Sequence, residues 1–404
     1  MSWLSVFLCA LRASAVKGFF LKIALVTDTY FPRINGVSTS TQIFAEEFSK
    51  LGHEVHIYAP AFPNSVDEEG PFKIHRFPSF YLFFDPEDRL GMPWRDRALV
   101  QHLISQKFDI VHTQTPFTIG GPAVKWARKS GAKVVHTYHT LFAAYVEHYL
   151  WFLPKALSIW YAKSASRRYC NACDLLITPS TEMRDVLSSY QVKKPIEVIP
   201  TGIRLERFHG RDSQRYRKLK GYKPEDKVLL FMGRVAEEKN IDFLLRVVNR
   251  LRPRVPDLQF LIAGEGAAKK HLEKMTLDLG MSDCVHFAGY LSKEDWRDCY
   301  AGSDLFVFAS ITETQGLVVT EAMAAETPVV AVAEMGIKDV MASGRGGLTT
   351  SLNEDEFTEA VYRMLTDKAL YARKKSETLA EADKWSSTSM AKRMIEAYEG
   401  ILKK

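Results

Sequence analysis

The chain has 404 residues, a formal net charge of +6, 46% hydrophobic residues and 25% charged residues. That length suits two ordinary domains, each with enough apolar residues for a core, and excludes a disordered chain. Five cysteines, an odd number without regular spacing, argue against a disulfide framework and for a reducing compartment.

Residues 1–20 are apolar but broken by Arg12 and Lys17. The run from Trp3 to Leu11 is too short to span a bilayer. Its positive charges follow the apolar stretch, where a signal peptide has them in front. Residues 1–20 are therefore expected to be an extension ahead of a first domain at 21–199.

From Leu21, short apolar runs alternate with amphipathic stretches. KIALVTD, HEVHIYAP, KIHRFP, DIVHTQ, KVVHTYH, LLITPS and IEVIP read as strands. TQIFAEEFSKLG reads as a helix with Ile43, Phe44, Phe48 and Leu51 on one face and Gly52 at its stop. Pro200–Gly210 reads as a linker, and the pattern then restarts with KVLLFMGR, LQFLIAGEG, VHFAGYL, LFVFAS and PVVAVA. The expectation is an α/β chain of two doubly wound, Rossmann-like domains facing a central cleft, the second at 200–385. Residues 386–404 are expected to form a helix crossing back to the first domain.

Ligands of such sheets sit at the carboxyl ends of the strands. After the first strand, Gly36 opens a helix within NGVSTST, where a bare backbone lets a ligand come close. Gly233 and Arg234 end a strand of the second domain, and Lys239 follows in the next loop. Two cations there suit a diphosphate, although Glu237 and Glu238 can neutralise either. Gly264, Glu265 and Gly266 end the next strand, as a tight turn or as a platform for a planar group. In SITETQGLVVTEAMAAETPVV a loop carries Glu313, Thr314, Gln315 and Gly316, and a helix is expected from Leu317 to about Ala325, before Pro328. Its amino terminus is an anion site. Glu313 ahead of it and Glu321 one turn in can accept from sugar and ribose hydroxyls. Cys170 and Cys173 form a C-x-x-C without a second pair, and read as small residues on a buried helix face. No metal-ligand cluster is visible, so no metal is expected.

The charge is uneven. Residues 1–200 hold 22 Lys and Arg against 17 Asp and Glu, and the remainder 32 against 31. Residues 121–170 hold eight Lys and Arg and a single acid, Glu147. Trp151, Phe152, Trp160 and Tyr161 interleave with Lys155, Lys163, Arg167 and Arg168. Basic residues with aromatics fit a monotopic contact with an anionic lipid surface. A nucleic-acid partner is not expected, since no nucleic-acid motif accompanies the charge.

These residues, in order, resemble the GT-B glycosyltransferases of family 4: the NGV loop, the GR…K stretch, the AGEG turn, and Glu313-x7-Glu321 followed by EAMA…PVVA. The resemblance implies a retaining hexosyltransferase with a nucleotide-sugar donor, UDP-glucose being expected, and no cofactor. It implies that Arg234 and Lys239 bind the diphosphate. Glu313, helped by backbone at Gln315, Gly316 and Leu317, would hold the donor sugar, Glu321 the ribose, and His139 would lie near the reacting sugar. Gln315, where many members carry Phe, together with HTYHTLFAAYVEHY, is most similar to bacterial diacylglycerol α-glucosyltransferases, with phosphatidylinositol mannosyltransferases next. A lipid acceptor and a cytoplasmic protein, peripheral on the inner face of the cytoplasmic membrane, are expected on that resemblance. A soluble or polysaccharide acceptor, or GDP-mannose with phosphatidylinositol, is the alternative, and a non-enzymatic sugar-nucleotide-binding module is a distant third. Glu326 stands where the family has glycine, a departure at a helix carboxyl terminus.

Overall fold

In the computed structural model of the protein, which describes residues 20–33, 35–63, 70–82, 85–139 and 155–403, the apolar runs become strands, buried in the middle of each sheet and partly exposed at its edges. They are apolar at consecutive positions, as strands covered by helices on both faces must be. The first sheet contains β1 (Lys22–Val26), β2 (Glu54–Pro60) and β3 (Lys73–Phe77). A hairpin of β4 (Ser79–Leu82) and β5 (Asp85–Gly91) interrupts it before β6 (Ile110–Thr113), β7 (Lys133–Thr137), β8 (Leu175–Thr178) and β9 (Ile196–Val198). Its order is β3-β2-β1-β6-β7-β8-β9. The second sheet uses β10 (Lys227–Met232), β11 (Leu258–Ala263), β12 (Val285–Gly289), β13 (Leu305–Phe308), β14 (Val329–Val332) and β15 (Gly347–Thr350), in the order β12-β11-β10-β13-β14-β15. Each of its ladders is parallel. The hairpin and β15 had no clear sequence signal, because Asp85–Gly91 is charged and Gly347–Thr350 is short and small.

The helix Gly36–Lys50 shows how local chemistry sets the elements. Asn35 caps it, its Oδ1 accepting from the Ser38 amide at 2.8 Å. Ile43, Phe44 and Phe48 face the core, and Gly52 ends the turn at φ +93°. Leu51, expected on the buried face, is exposed because it is the cap residue beyond the last helical turn. Cys170 and Cys173 are buried and unbridged.

The described chain divides into two compact units. One holds the residues up to Leu176, Lys193–Pro195 and the stretch from Met394 onward; the other holds Ile177–Val192 and Ile196–Arg393. Pro200–Gly210 is not the free linker expected from its composition. The Ile203 amide donates to Trp385 O at 2.9 Å, and the Ser387 amide to Ile203 O at 2.7 Å. Phe208 is buried, and a Cβ on Gly202 would lie 2.4 Å from Ser387 Cα. The segment is thus packed into the second unit. The final helix, Ser387–Leu402, begins in the second unit and ends in the first. There Tyr398, fully buried, shares a 2.6 Å hydrogen bond with His112 Nδ1.

Candidate active site

In the second unit, β10 and β13 are neighbours from which the strand order runs outward in opposite directions. The crevice beyond the carboxyl ends of such a pair is where doubly wound sheets take ligands. The loops that follow these two strands carry Gly233, Arg234, Lys239, Glu313, Thr314, Gln315 and Gly316. They are tied together by Asn240 Nδ2, which donates to Ala309 O at 3.0 Å, and by Ser310 Oγ, which donates to Glu238 O at 3.3 Å. Asn240 adopts a left-handed φ of 51°, which asparagine tolerates.

The glycines of this end serve backbone crossings. Gly264 has φ +138°, and a Cβ there would fall 1.9 Å from Gly233 O. A Cβ on Gly266 would fall 2.2 Å from Val235 O. The turn at 264–266 is therefore glycine-rich because the loops after β10 and β11 cross there, with the Val235 amide donating to Glu265 O at 2.9 Å. The Glu265 carboxylate accepts from Lys269 Nζ at 2.7 Å.

Lys239 and Glu313 meet at the crevice. Lys239 Nζ donates to Glu313 Oε2 at 2.9 Å, with the two side chains 14% and 22% exposed. Lys239 also lies 5.8 Å from the centre of the Phe308 ring. The Glu313 carbonyl accepts from the Gly336 amide at 2.9 Å. A Cβ on Gly336 would lie 2.5 Å from Thr314 O, so the loop rests against bare backbone. The helix Leu317–Ala324 then begins at Gly316, which caps it in a left-handed conformation and has no side chain to satisfy the first amides. Gln315 is turned to its own unit: its Oε1 accepts from the Thr201 amide at 3.1 Å. Arg234 does not join the pair. It is 71% exposed and bonds Glu238 four residues on. Each cation expected at a diphosphate is thus held by a carboxylate.

Glu321 lies half-buried on the same helix, accepting from Tyr300 Oη at 3.1 Å. Burial pushes its carboxyl up to about 7, against the Tyr300 hydrogen bond and the charge of Arg207, while Glu313 pushes it further up. Arg207 stacks 4.6 Å from the Trp296 ring centre, and Trp296 packs edge-on to Tyr300. Tyr300 and Arg207 were missed in the sequence. The spacing of Trp296 and Tyr300, one helical turn apart, was the available signal.

Glu326 has a physical reason for being a glycine position. Its amide donates to Met323 O at 3.0 Å, and the Thr327 amide to Ala322 O at 2.9 Å. Those two bonds make a Schellman cap, and Glu326 occupies its left-handed position at φ 63°. Its carboxylate bonds Arg211.

In the first unit, His139 follows β7, with Nε2 2.8 Å from Gln114 Oε1. Burial lowers it to about 4, so it is neutral near pH 7. Gly36 opens its helix with nothing within 4 Å of where a Cβ would stand. The helix Lys155–Ala172 buries Ala162, Ser166 and Cys170. Leu157, Trp160 at 64% and Tyr161 at 56% are exposed on it, as are Lys163, Arg167 and Arg168. Arg167 and Arg168 follow Trp160 and Tyr161 by seven residues each, which places them on one face. Trp151 and Phe152 lie outside the described residues, as does the side chain of Lys155. Among the described residues no helix is long and apolar enough to cross a membrane, and no three His, Cys, Asp or Glu side chains are grouped to hold a metal ion.

Two parallel-sheet, Rossmann-like units with a crevice of this kind define a glycosyltransferase of the GT-B fold. Residues 34–207 match the description Glycosyltransferase Family 4, and residues 212–384 match Glycosyl transferases group 1. The chain is 34% identical over 319 residues to an alpha-monoglucosyldiacylglycerol synthase of Streptococcus pneumoniae, across 77% of this chain and 71% of that one. It is 28% identical over 333 residues to a GDP-mannose-dependent alpha-mannosyltransferase of Corynebacterium glutamicum, across 81% and 76%. Its fold matches the crystal structure of Anabaena Alr3699/HepE in complex with UDP, with a TM-score of 0.72 and 17% identity, over 94% of this chain and 100% of that one. The chain belongs to glycosyltransferase family 4.

Proposed function

We propose that this glycosyltransferase moves glucose from UDP-glucose to the hydroxyl of diacylglycerol at an anionic membrane surface, with retention at the anomeric carbon. The observation that carries the donor half is the Lys239–Glu313 pair ahead of the bare helix terminus at Leu317. A partly exposed ion pair is worth about 1 kcal/mol or less. A diphosphate, with two charges and the helix terminus behind it, outcompetes one carboxylate for Lys239. Glu313 is then released to accept from the sugar hydroxyls, Glu321 accepts from the ribose, and Arg234 exchanges Glu238 for phosphate. His139 contacts the transferred sugar.

Among the described residues, the carboxylate whose charge is coupled to Glu313 is Glu321, held by Tyr300 and assigned to the ribose, so no pair is set for double displacement. The acceptor oxygen therefore attacks the anomeric carbon from the face that the phosphate leaves. The bond from that carbon to the phosphate oxygen breaks, its electron pair stays with UDP, and the acceptor's proton passes to the departing phosphate. Charge stabilisation by Lys239, Arg234 and the helix terminus supplies the catalysis.

The acceptor half rests on the 34% identity to a protein described as a monoglucosyldiacylglycerol synthase and on the exposed Trp160, Tyr161, Lys163, Arg167 and Arg168. The likeness to the mannosyltransferase favours a second donor, GDP-mannose; phosphatidylinositol is the acceptor that the sequence resemblance pairs with it. UDP- and GDP-sugars offered with diacylglycerol or phosphatidylinositol in vesicles, read by mass spectrometry, separate the two. Hexosyl-diacylglycerol from UDP-glucose is expected. Product from GDP-mannose alone selects the second reading, and transfer only to a water-soluble acceptor removes the lipid.

A further inference from the structure

The carboxyl ends of β1, β6 and β7, adjacent in the first sheet, are braced against one another by buried side chains. The Gln114 amide donates to Val26 O at 2.8 Å. The Thr115 hydroxyl accepts from the Asp28 amide and donates to the Asp28 carboxylate, both at 2.7 Å. That carboxylate also accepts from the amides of Phe117, Ile119 and Gly120 at 3.1, 2.6 and 3.2 Å and from the Thr118 hydroxyl at 3.1 Å. A Cβ on Gly120 would stand 1.7 Å from Thr115 O, so this turn admits no side chain at its closing point. Gln114, itself buried, is therefore fixed at both flanks. Its Oε1 lies 2.8 Å from His139 Nε2.

A carboxamide oxygen only accepts, so the nitrogen facing it must carry the proton. We propose that Gln114 is a positioning residue that fixes His139 as the neutral imidazole protonated on Nε2, leaving Nδ1 to accept from a substrate hydroxyl. This deepens the proposed function, because it rests on His139 lying at the sugar site. The charged and titratable groups around it agree. His112 Nε2 bonds the Thr137 hydroxyl at 2.7 Å and its Nδ1 bonds Tyr398. His136 Nδ1 bonds Thr113 O at 3.0 Å. His112 and His136 are lowered by burial, and each further by the charge that His139 would carry. Asp28 is occupied by the turn and carries no bond to any of the three. Charging His139 is thus opposed by burial, and the neutral tautomer persists well below pH 7.

Gln114→Glu keeps the shape and places a carboxylate against Nε2, which favours the imidazolium. The expected result is an ionisation in kcat/KM beyond that of Glu321, which both proteins share: the variant falls about tenfold below the wild type near pH 6, and the ratio of the two returns towards one as pH rises. Gln114→Leu, which cannot fix the tautomer, is expected to lower kcat about tenfold at every pH with donor KM unchanged. A pH-independent loss in Gln114→Glu would mean that Gln114 only supports the fold, and would overturn the assignment. Nitrogen-15 spectra of histidine-labelled wild-type protein, with the His139 signal assigned by its loss in His139→Asn, are independent of turnover. A protonated Nε2 and bare Nδ1 at pH 7 are expected; the opposite tautomer overturns the role of Gln114. Normal transfer by His139→Ala, with the tautomer as expected, instead overturns the reading of His139 as a sugar contact.

Discussion

At the carboxyl ends of the second sheet, charged groups stand within reach of solvent and are held by partners a ligand can replace: Lys239 by Glu313, and Arg234 by Glu238. At the same ends of the first sheet the polar groups are sealed. Asp28 is consumed by one turn, and His112 and His136 are buried on β6 and β7. The difference separates two ways of using polar residues. Exchangeable pairs suit the capture of a charged nucleotide sugar, since breaking them costs little. Sealed networks cost much to break and therefore hold geometry.

The largest effect that sharpens this contrast is expected away from both strand ends. Reversing Lys163, Arg167 and Arg168 together to Glu replaces three positive charges by three negative ones on the exposed face of Lys155–Ala172. At about 1 kcal/mol per charge near an anionic surface, vesicle binding should fall by about a hundredfold or more in a flotation assay. Transfer to a soluble acceptor should be unchanged. Undiminished flotation would remove this helix as the membrane contact.

Next is Glu321, a carboxylate of the second unit that burial pushes up to about 7. Its folded pKa, about 7, lies above the usual 4.5, so the folded protein holds that proton more tightly than the unfolded chain. Stability therefore falls as pH rises from about 4.5 to 7. Glu321→Gln should be more stable than wild type by about 2 kcal/mol at pH 8 and equal to it at pH 4 in urea titrations. The wild type should bind UDP-glucose more tightly as pH rises through about 7, where the ionised carboxylate accepts from ribose, and the variant should not. PH-independent donor binding by the wild type would place the ribose elsewhere.

The smallest effect concerns Glu326. A left-handed residue other than glycine costs about 1 kcal/mol, partly offset by its half-buried pair with Arg211. Glu326→Gly should gain about 0.5 kcal/mol in stability and leave transfer unchanged. A loss of stability would show that the Arg211 pair outweighs the backbone.

Much of this was legible in the sequence, and the exceptions have physical causes. Strands such as LFVF, and KVLLFM after its leading lysine, are apolar at every position, which announces a doubly covered sheet, and Glu313 to Glu321 announces the loop and helix. The hairpin Ser79–Gly91 was invisible because it lacks that apolar run. Pro200–Gly210 has the composition of a linker, yet tertiary pairing with Trp385 and Ser387 holds it in the second unit. Gly264 was read as a possible ligand platform, and the reason for glycine there is a backbone crossing some thirty residues distant in sequence. The partners of Arg234 and Lys239 could be guessed as neighbouring acids. That one takes Glu238 and the other Glu313 depends on tertiary placement, which local spacing does not encode.

The central claim is that Glu313 serves the donor sugar once Lys239 has exchanged it for the diphosphate. Its most direct test is glucose transfer from UDP-glucose to diacylglycerol by Glu313→Ala, measured beside the wild type in anionic vesicles. A loss of about a hundredfold or more in kcat, with folding unchanged by circular dichroism, is expected. Turnover within a few-fold of the wild type would contradict the account.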